Sequence, residues 1–247
     1  MKKTFLLALV ATGLASATTF TFTGDGGTNA GSGFGNTRTY TDGSVRVVIS
    51  GFGATGTSGA LQNGQLGFYS GNGLGVCNQN EGTGCSDPGH QVDSSGADDY
   101  VQFSFFVFNG SSWVKAAFTD FAITVAPFGD GISADSCTGD CADTDLTYFL
   151  RNNTGSAPAL NNSTASAQGY GSGTVKDGPF GTAAVTHLAT GTATDLLIKA
   201  GGSDSREDWF KVQSITFTTA DTTVPEPATM ALMGAALVGL GLMRRKA

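Results

Sequence analysis

The chain has 247 residues, of which 37 are glycine, and only 13% are charged. Helix interiors tolerate glycine at a cost of about 1 kcal/mol each relative to alanine, so this composition suits turns and strands. Lys2, Lys3, Arg244, Arg245 and Lys246 lie in the terminal segments, leaving eight basic against nineteen acidic residues between 18 and 223, a net charge near −11 that excludes a nucleic-acid partner.

The first 17 residues, MKKTFLLALVATGLASA, read as a secretory signal peptide. Lys2 and Lys3 form a basic start, Phe5 to Leu14 an apolar run, and Ala15-Ser16-Ala17 the small residues a signal peptidase needs. A transmembrane anchor would need a longer run. Export places the rest of the chain where cysteines pair and stay paired.

Short strands then follow one another. TTFTFTG (18–24) alternates threonine with Phe20 and Phe22, the period of a half-buried strand. SVRVVIS (44–50) is a second strand, and the glycines after it, Gly51, Gly53 and Gly56, satisfy GxGxxG. A dinucleotide-binding turn needs a helix next and an acidic residue about 20 positions on, and neither is present, so the match is expected to be fortuitous.

Four cysteines form two local pairs, Cys77 with Cys85 around CNQNEGTGC and Cys137 with Cys141 around CTGDC. Three connectivities exist, and the two local bridges are expected because both enclosed segments are turn-rich. Metal binding is not expected, because CxxC pairs and histidines at ligand spacing are lacking. The acidic clusters 93–99 and 135–145 are expected to be solvated loops, with calcium as the alternative reading; neither matches the calcium-loop pattern.

Further strands are expected at 99–110, 121–126, 145–150, 196–200 and 208–219, rich in β-branched and aromatic residues. Residues 111–126 are ambiguous, since Val114, Phe118, Phe121 and Val125 also fit helical spacing. Residues 152–183, poor in large apolar side chains, read as a polar insertion: a surface excursion or mobile loop. TFTFT and SITFTT resemble each other and are expected to pair. The fold expected is all-β: one antiparallel, jelly-roll-like β-sandwich over 18–223, favoured over a solenoid because no repeat of 20 to 50 residues is present.

No enzyme is expected. His90 and His187 stand in no nucleophile or metal context, GxSxG and HExxH are missing, and no cofactor is implied. A polysaccharide hydrolase with a carboxylate pair stays as the rival reading, alongside a carbohydrate-binding module; buried carboxylates in a cleft would favour the first and an exposed aromatic platform the second.

The chain ends in VPEPATMALMGAALVGLGLMRRKA (224–247). Residues 228–243 carry no charge and would make a transmembrane helix of about 24 Å, slightly short of a membrane core near 30 Å. The basic cluster Arg244, Arg245 and Lys246 would hold the C-terminus in the cytoplasm. Pro225 and Pro227 bias Val224 and Glu226 towards extended backbone. This ordered set, Val224-Pro225-Glu226-Pro227, a Gly/Ala/Leu-rich span, then Arg244 and Arg245, resembles the PEP-CTERM sorting signal of Gram-negative bacteria. The resemblance implies processing by an exosortase, with a transient inner-membrane anchor, and delivery to the cell surface or extracellular matrix, where a structural or exopolysaccharide-associated role in biofilm is expected. A weaker likeness to proteins carrying this tail lies in Gly73-Leu74-Gly75-Val76, a GLGV-type turn, with Val92-Asp93 and Asp99.

Overall fold

The computed structural model describes residues 17–24, 27–55, 59–81, 90–94, 97–126, 145–152, 164–176, 185–189, 191–201, 209–219 and Gly234. Residues 17–220 form one compact unit; of the other, 1–16 with 221–247, only Gly234 is described, in helical conformation. The signal peptide up to Ser16, the sorting residues and the rest of the span 228–243 therefore lie outside the described residues. Among the described residues no helix is long and apolar enough to cross a membrane.

Among the described residues of 17–220 the regular elements are strands apart from two short 3-10 turns. In chain order they begin with β1 (Ala17–Thr21), β2 (Thr28–Ala30), β3 (Thr37–Asp42), β4 (Val45–Thr55), β5 (Ala60–Asn63) and β6 (Gln65–Tyr69). Next come β7 (Gly73–Cys77), β8 (Val92–Asp93), β9 (Asp99–Phe108), β10 (Trp113–Lys115) and β11 (Phe118–Ala126). The last are β12 (Leu146–Arg151), β13 (Thr174–Lys176), β14 (Val185–Ala189), β15 (Asp195–Ala200) and β16 (Trp209–Thr219).

They build two antiparallel sheets. The first runs β14-β11-β16-β7-β6, with β1 and β8 also on β16; the second runs β13-β12-β15-β9-β4-β3-β2, with β10 on β9 and β5 on β4. The expected pairing of the terminal strands is present, Phe20 lying opposite Ile215 and Ala17 opposite Thr218. Aromatic side chains from both sheets fill the space between them. Phe105 of β9 meets Phe217 of β16 edge-on at 4.7 Å, with Phe121 of β11 at 5.2 Å, and Phe22 packs on Phe103 at 6.1 Å. Such pairs add roughly 0.5–1.5 kcal/mol each to the burial of their area. Two antiparallel sheets around an aromatic core give the all-β architecture expected from the alternation.

The ambiguous segment 111–126 is strand throughout its regular part, and a β-bulge explains its helix-like spacing. The pairing of β11 with β16 shifts register between Thr119 and Ala122, and Asp120 takes a left-handed backbone with φ of 54°. One inserted residue puts Phe118 and Phe121 on the same buried face, three apart as on a helix. A second shift lies on the same pair of strands, opposite Val212 and Ser214, so that Val212 and Ile215 are both buried.

The glycine motifs are close-packing devices. Strand β4 runs on through Gly51 and Gly53, and no helix follows. A Cβ on Gly53 would sit 2.2 Å from Cβ of Asn78, and one on Gly51 3.1 Å from Val76. Gly73-Leu74-Gly75-Val76, expected to be a turn, is instead β7, buried along its length. Side chains are excluded there because a Cβ on Gly73 would lie 2.2 Å from the Val212 carbonyl oxygen and one on Gly75 2.2 Å from that of His90.

Residues 164–176, inside the polar insertion, are not a plain surface excursion. Tyr170 is 4% exposed and joins Phe52, Ala54, Leu61, Tyr100 and Leu197 in a second apolar cluster. That cluster lies on the opposite face of the second sheet from the main core. One aromatic ring is enough to dock the segment, although its composition is polar.

Candidate functional site

Strand period 2 gives β9 two faces. Val101, Phe103 and Phe105 enter the core, so Tyr100, Gln102, Ser104, Phe106 and Phe108 face outward. The antiparallel register carries this outer face across the sheet, placing Arg151, Asp195, Ser104 and Val48 in one row and Thr41, Arg46, Phe106 and Lys115 in another.

Asp195 is fully buried in the first row. Its carboxylate accepts from Lys115 Nζ at 2.7 Å, Arg151 Nε at 3.1 Å, Ser104 Oγ at 2.5 Å and Thr194 Oγ1 at 3.1 Å. Burying a carboxylate is tolerable only with such compensation. With its oxygens occupied by these donors, Asp195 is committed to tying β15 to β10, β12 and β9. Arg151 extends the network. Its Nη1 donates to the Gln168 carbonyl oxygen at 3.1 Å and its guanidinium lies 4.5 Å from the centre of the Tyr170 ring. The Tyr170 hydroxyl in turn accepts from Gln102 Nε2 at 2.8 Å.

Burial pushes the Tyr170 phenol well above its ordinary value; Asp195 adds to the rise, while Arg151 and the Gln102 hydrogen bond oppose it. Tyr100 is also raised, mainly by burial and further by the adjacent Asp98 charge, which is itself paired with Lys199. Both phenols stay protonated well past pH 10 and act as packing groups.

This network holds segment 164–176 over one half of the outer face, and among the described residues nothing covers the other half. There the hairpin of β9 and β10 presents Phe108, 42% exposed, against the half-buried Trp113 at 5.4 Å. The Arg46 guanidinium stacks over the Trp113 ring at 3.9 Å, and its Nε reaches Thr41 Oγ1 at 3.4 Å. Thr39 and Ser50 are half-exposed on the same face. Aromatic surface beside hydroxyls and a cation can stack an apolar ring and donate hydrogen bonds to its polar substituents.

The residues singled out in the sequence fall elsewhere. Cys77 ends β7, is buried and carries no free thiol; Cys85, Cys137 and Cys141 lie outside the described residues. His90 sits beside β7, while His187 is exposed on β14. Asp99 is buried and accepts from Asn78 Nδ2 at 3.0 Å. Val92 and Asp93 form β8, paired with Phe210 and Trp209. Of the two acidic clusters, most of 135–145 lies outside the described residues, and among the described residues no group of three or more His, Cys, Asp or Glu is placed to hold a metal ion. None of Asp195, Lys115, Arg151, Arg46 and Phe108 stands out in the sequence. A charge set inside an apolar strand, as in DLLIKA and TYFLRN, is the signal that marks Asp195 and Arg151.

Residues 223–246 match the PEP-CTERM protein-sorting motif. The chain is thus an exported protein with an exosortase as its processing partner, sorted at a membrane and destined for the surface. No curated protein and no solved structure matches the chain.

Proposed function

We propose that this exported, exosortase-sorted chain is a non-catalytic surface or matrix protein whose β-sandwich associates with extracellular polysaccharide in biofilm. In this reading the segment 228–243 anchors the chain transiently in the inner membrane, the tail is then removed, and Cys77–Cys85 and Cys137–Cys141 are bridged locally outside the cytoplasm.

The observation that carries the reading is the open half of the outer face, where Phe108 and Trp113 lie beside hydroxyls and Arg46. Sugar rings present flat C–H faces that stack on aromatic rings, and their hydroxyls need donors and acceptors nearby. The one fully buried carboxylate on this face among the described residues, Asp195, is consumed by structural ion pairs, which supports binding over hydrolysis.

The test uses producing cells with and without the exosortase. In competent cells the protein should lose the hydrophobic stub by intact mass and cosediment with the matrix, and polysaccharide-degrading enzymes should release it. Replacing Pro225, Glu226 and Pro227 together with alanine should keep the stub attached. A correctly processed product that stays in the supernatant and ignores purified matrix polysaccharide would sink the proposal.

A further inference from the structure

We infer that the open half of the outer face is a binding site for a carboxylated polysaccharide, in which Arg46 grips a uronate-type carboxylate and Phe108 stacks the neighbouring sugar ring. The inference rests on the polysaccharide reading and adds to it a site and a ligand charge.

The charge argument starts from the accounting of cations on this face. Lys115 and Arg151 are spent on Asp195, and Lys199 on Asp98. Arg46 has no carboxylate within ion-pair range among the described residues; its partners are the Trp113 ring and a long contact to Thr41. On a domain with a net charge near −11, which offers no basic footprint for a polyanion as a whole, this one guanidinium stands without a carboxylate among the described residues and can grip a single carboxylate locally.

The stacking geometry prepares it for an anion. A guanidinium lying on an indole keeps its N–H groups in its own plane, at the rim of the stack. Nε is directed to Thr41, so the two terminal nitrogens remain as a fork matching the two oxygens of a carboxylate. Trp113 limits the rotamers of the side chain, so less entropy is lost when the anion docks.

The hairpin sets the spacing. Trp113 lies directly opposite Phe108, and Arg46 opposite Phe106 one rung away. The exposed Phe108 ring and the Arg46 fork therefore flank Trp113, within the span of adjacent residues of a glycan chain. Thr39, Thr41 and Ser50 continue along β3 and β4 as hydroxyl partners on the same face.

Affinity electrophoresis of the full chain in mild non-ionic detergent, through gels containing polygalacturonate, a sulfated glucan or neutral dextran, tests this. Polygalacturonate should retard the protein at least about tenfold more strongly than dextran. Arg46→Gln should bring the two to the same level, with Arg46→Lys intermediate, because lysine keeps the charge and loses the fork. Phe108→Ala should weaken both by about tenfold. A denaturation midpoint matching wild type keeps these losses from being unfolding. Retardation by polygalacturonate that survives both Arg46→Gln and Phe108→Ala overturns the site but not the functional reading. Equal retardation by dextran, or stronger retardation by the sulfated glucan, overturns the carboxylate preference. Retardation by none of the polymers defeats the functional reading and this inference together.

Discussion

Replacing Asp195 by asparagine preserves shape and removes one charge, leaving Lys115 and Arg151 as buried cations with no counter-ion among the described residues. Their side chains are 10% and 2% exposed, so water cannot readily take over from the carboxylate. Breaking a buried pair from one side costs about 3–5 kcal/mol, and here two cations are orphaned, which places Asp195→Asn at the upper end. For a unit of this size a guanidinium m-value near 4 kcal/mol per molar turns that into a midpoint drop of about 1 M. Lys115→Met should cost clearly less, about 1–2 kcal/mol, because Arg151 still answers the carboxylate. The triple change Asp195→Leu, Lys115→Met, Arg151→Met should recover much of the loss, since an apolar replacement removes the desolvation cost with the charges. Equilibrium unfolding followed by fluorescence reads all three. A drop under about 0.2 M for Asp195→Asn, or a Lys115→Met effect as large, would refute the view of Asp195 as the anchor of this network.

Three further outcomes are expected. Gly75→Ala should destabilise by about 3 kcal/mol, because its Cβ would meet a backbone oxygen at 2.2 Å, whereas Gly24→Ala, with nothing within 4 Å, should stay within about 0.5 kcal/mol in the same unfolding assay. The raised phenols of Tyr100 and Tyr170 keep protons that the unfolded chain releases above pH 10, so stability present below pH 10 should fall as pH rises beyond it. Two such groups give a slope that climbs from near zero at pH 9 to a limit of about 2.7 kcal/mol per pH unit above pH 11, and Tyr170→Phe should halve it in unfolding free energies taken from pH 9 to 12. Peptide mapping without reduction should recover Cys77 linked to Cys85; a Cys77–Cys137 peptide would contradict the local bridges.

The strands that β-branched and aromatic residues write plainly were legible: β1, β4, β9, β11, β12, β15 and β16, with the pairing of the first and last. Those that escaped are built differently. Strand β7 has glycine at two of its five positions and is buried on both faces, so it carries neither alternation nor β propensity, and its role appears only when the neighbouring carbonyl oxygens are in place. Phe118 and Phe121 imitate a helix because a bulge at Asp120 shifts the period by one. Tyr170 looks like an isolated aromatic in a polar stretch until Leu61 and Leu197 surround it. The open face was illegible for a related reason: Arg46 and Trp113 are far apart along the chain, and only the sheet order brings them together. The sorting signal, by contrast, is contiguous and needs no folding to be read.

Strand β16 is the last strand described and ends at Thr219. Along one edge it is hydrogen-bonded to β11, and along the other to β8, β7 and β1 in succession. Any tug arriving through Thr219 thus enters through an interior strand gripped on both sides. Ladders on both flanks then share the strain in shear, whereas a strand at the rim would unzip rung by rung. The end of β16 is therefore among the mechanically toughest points of the fold.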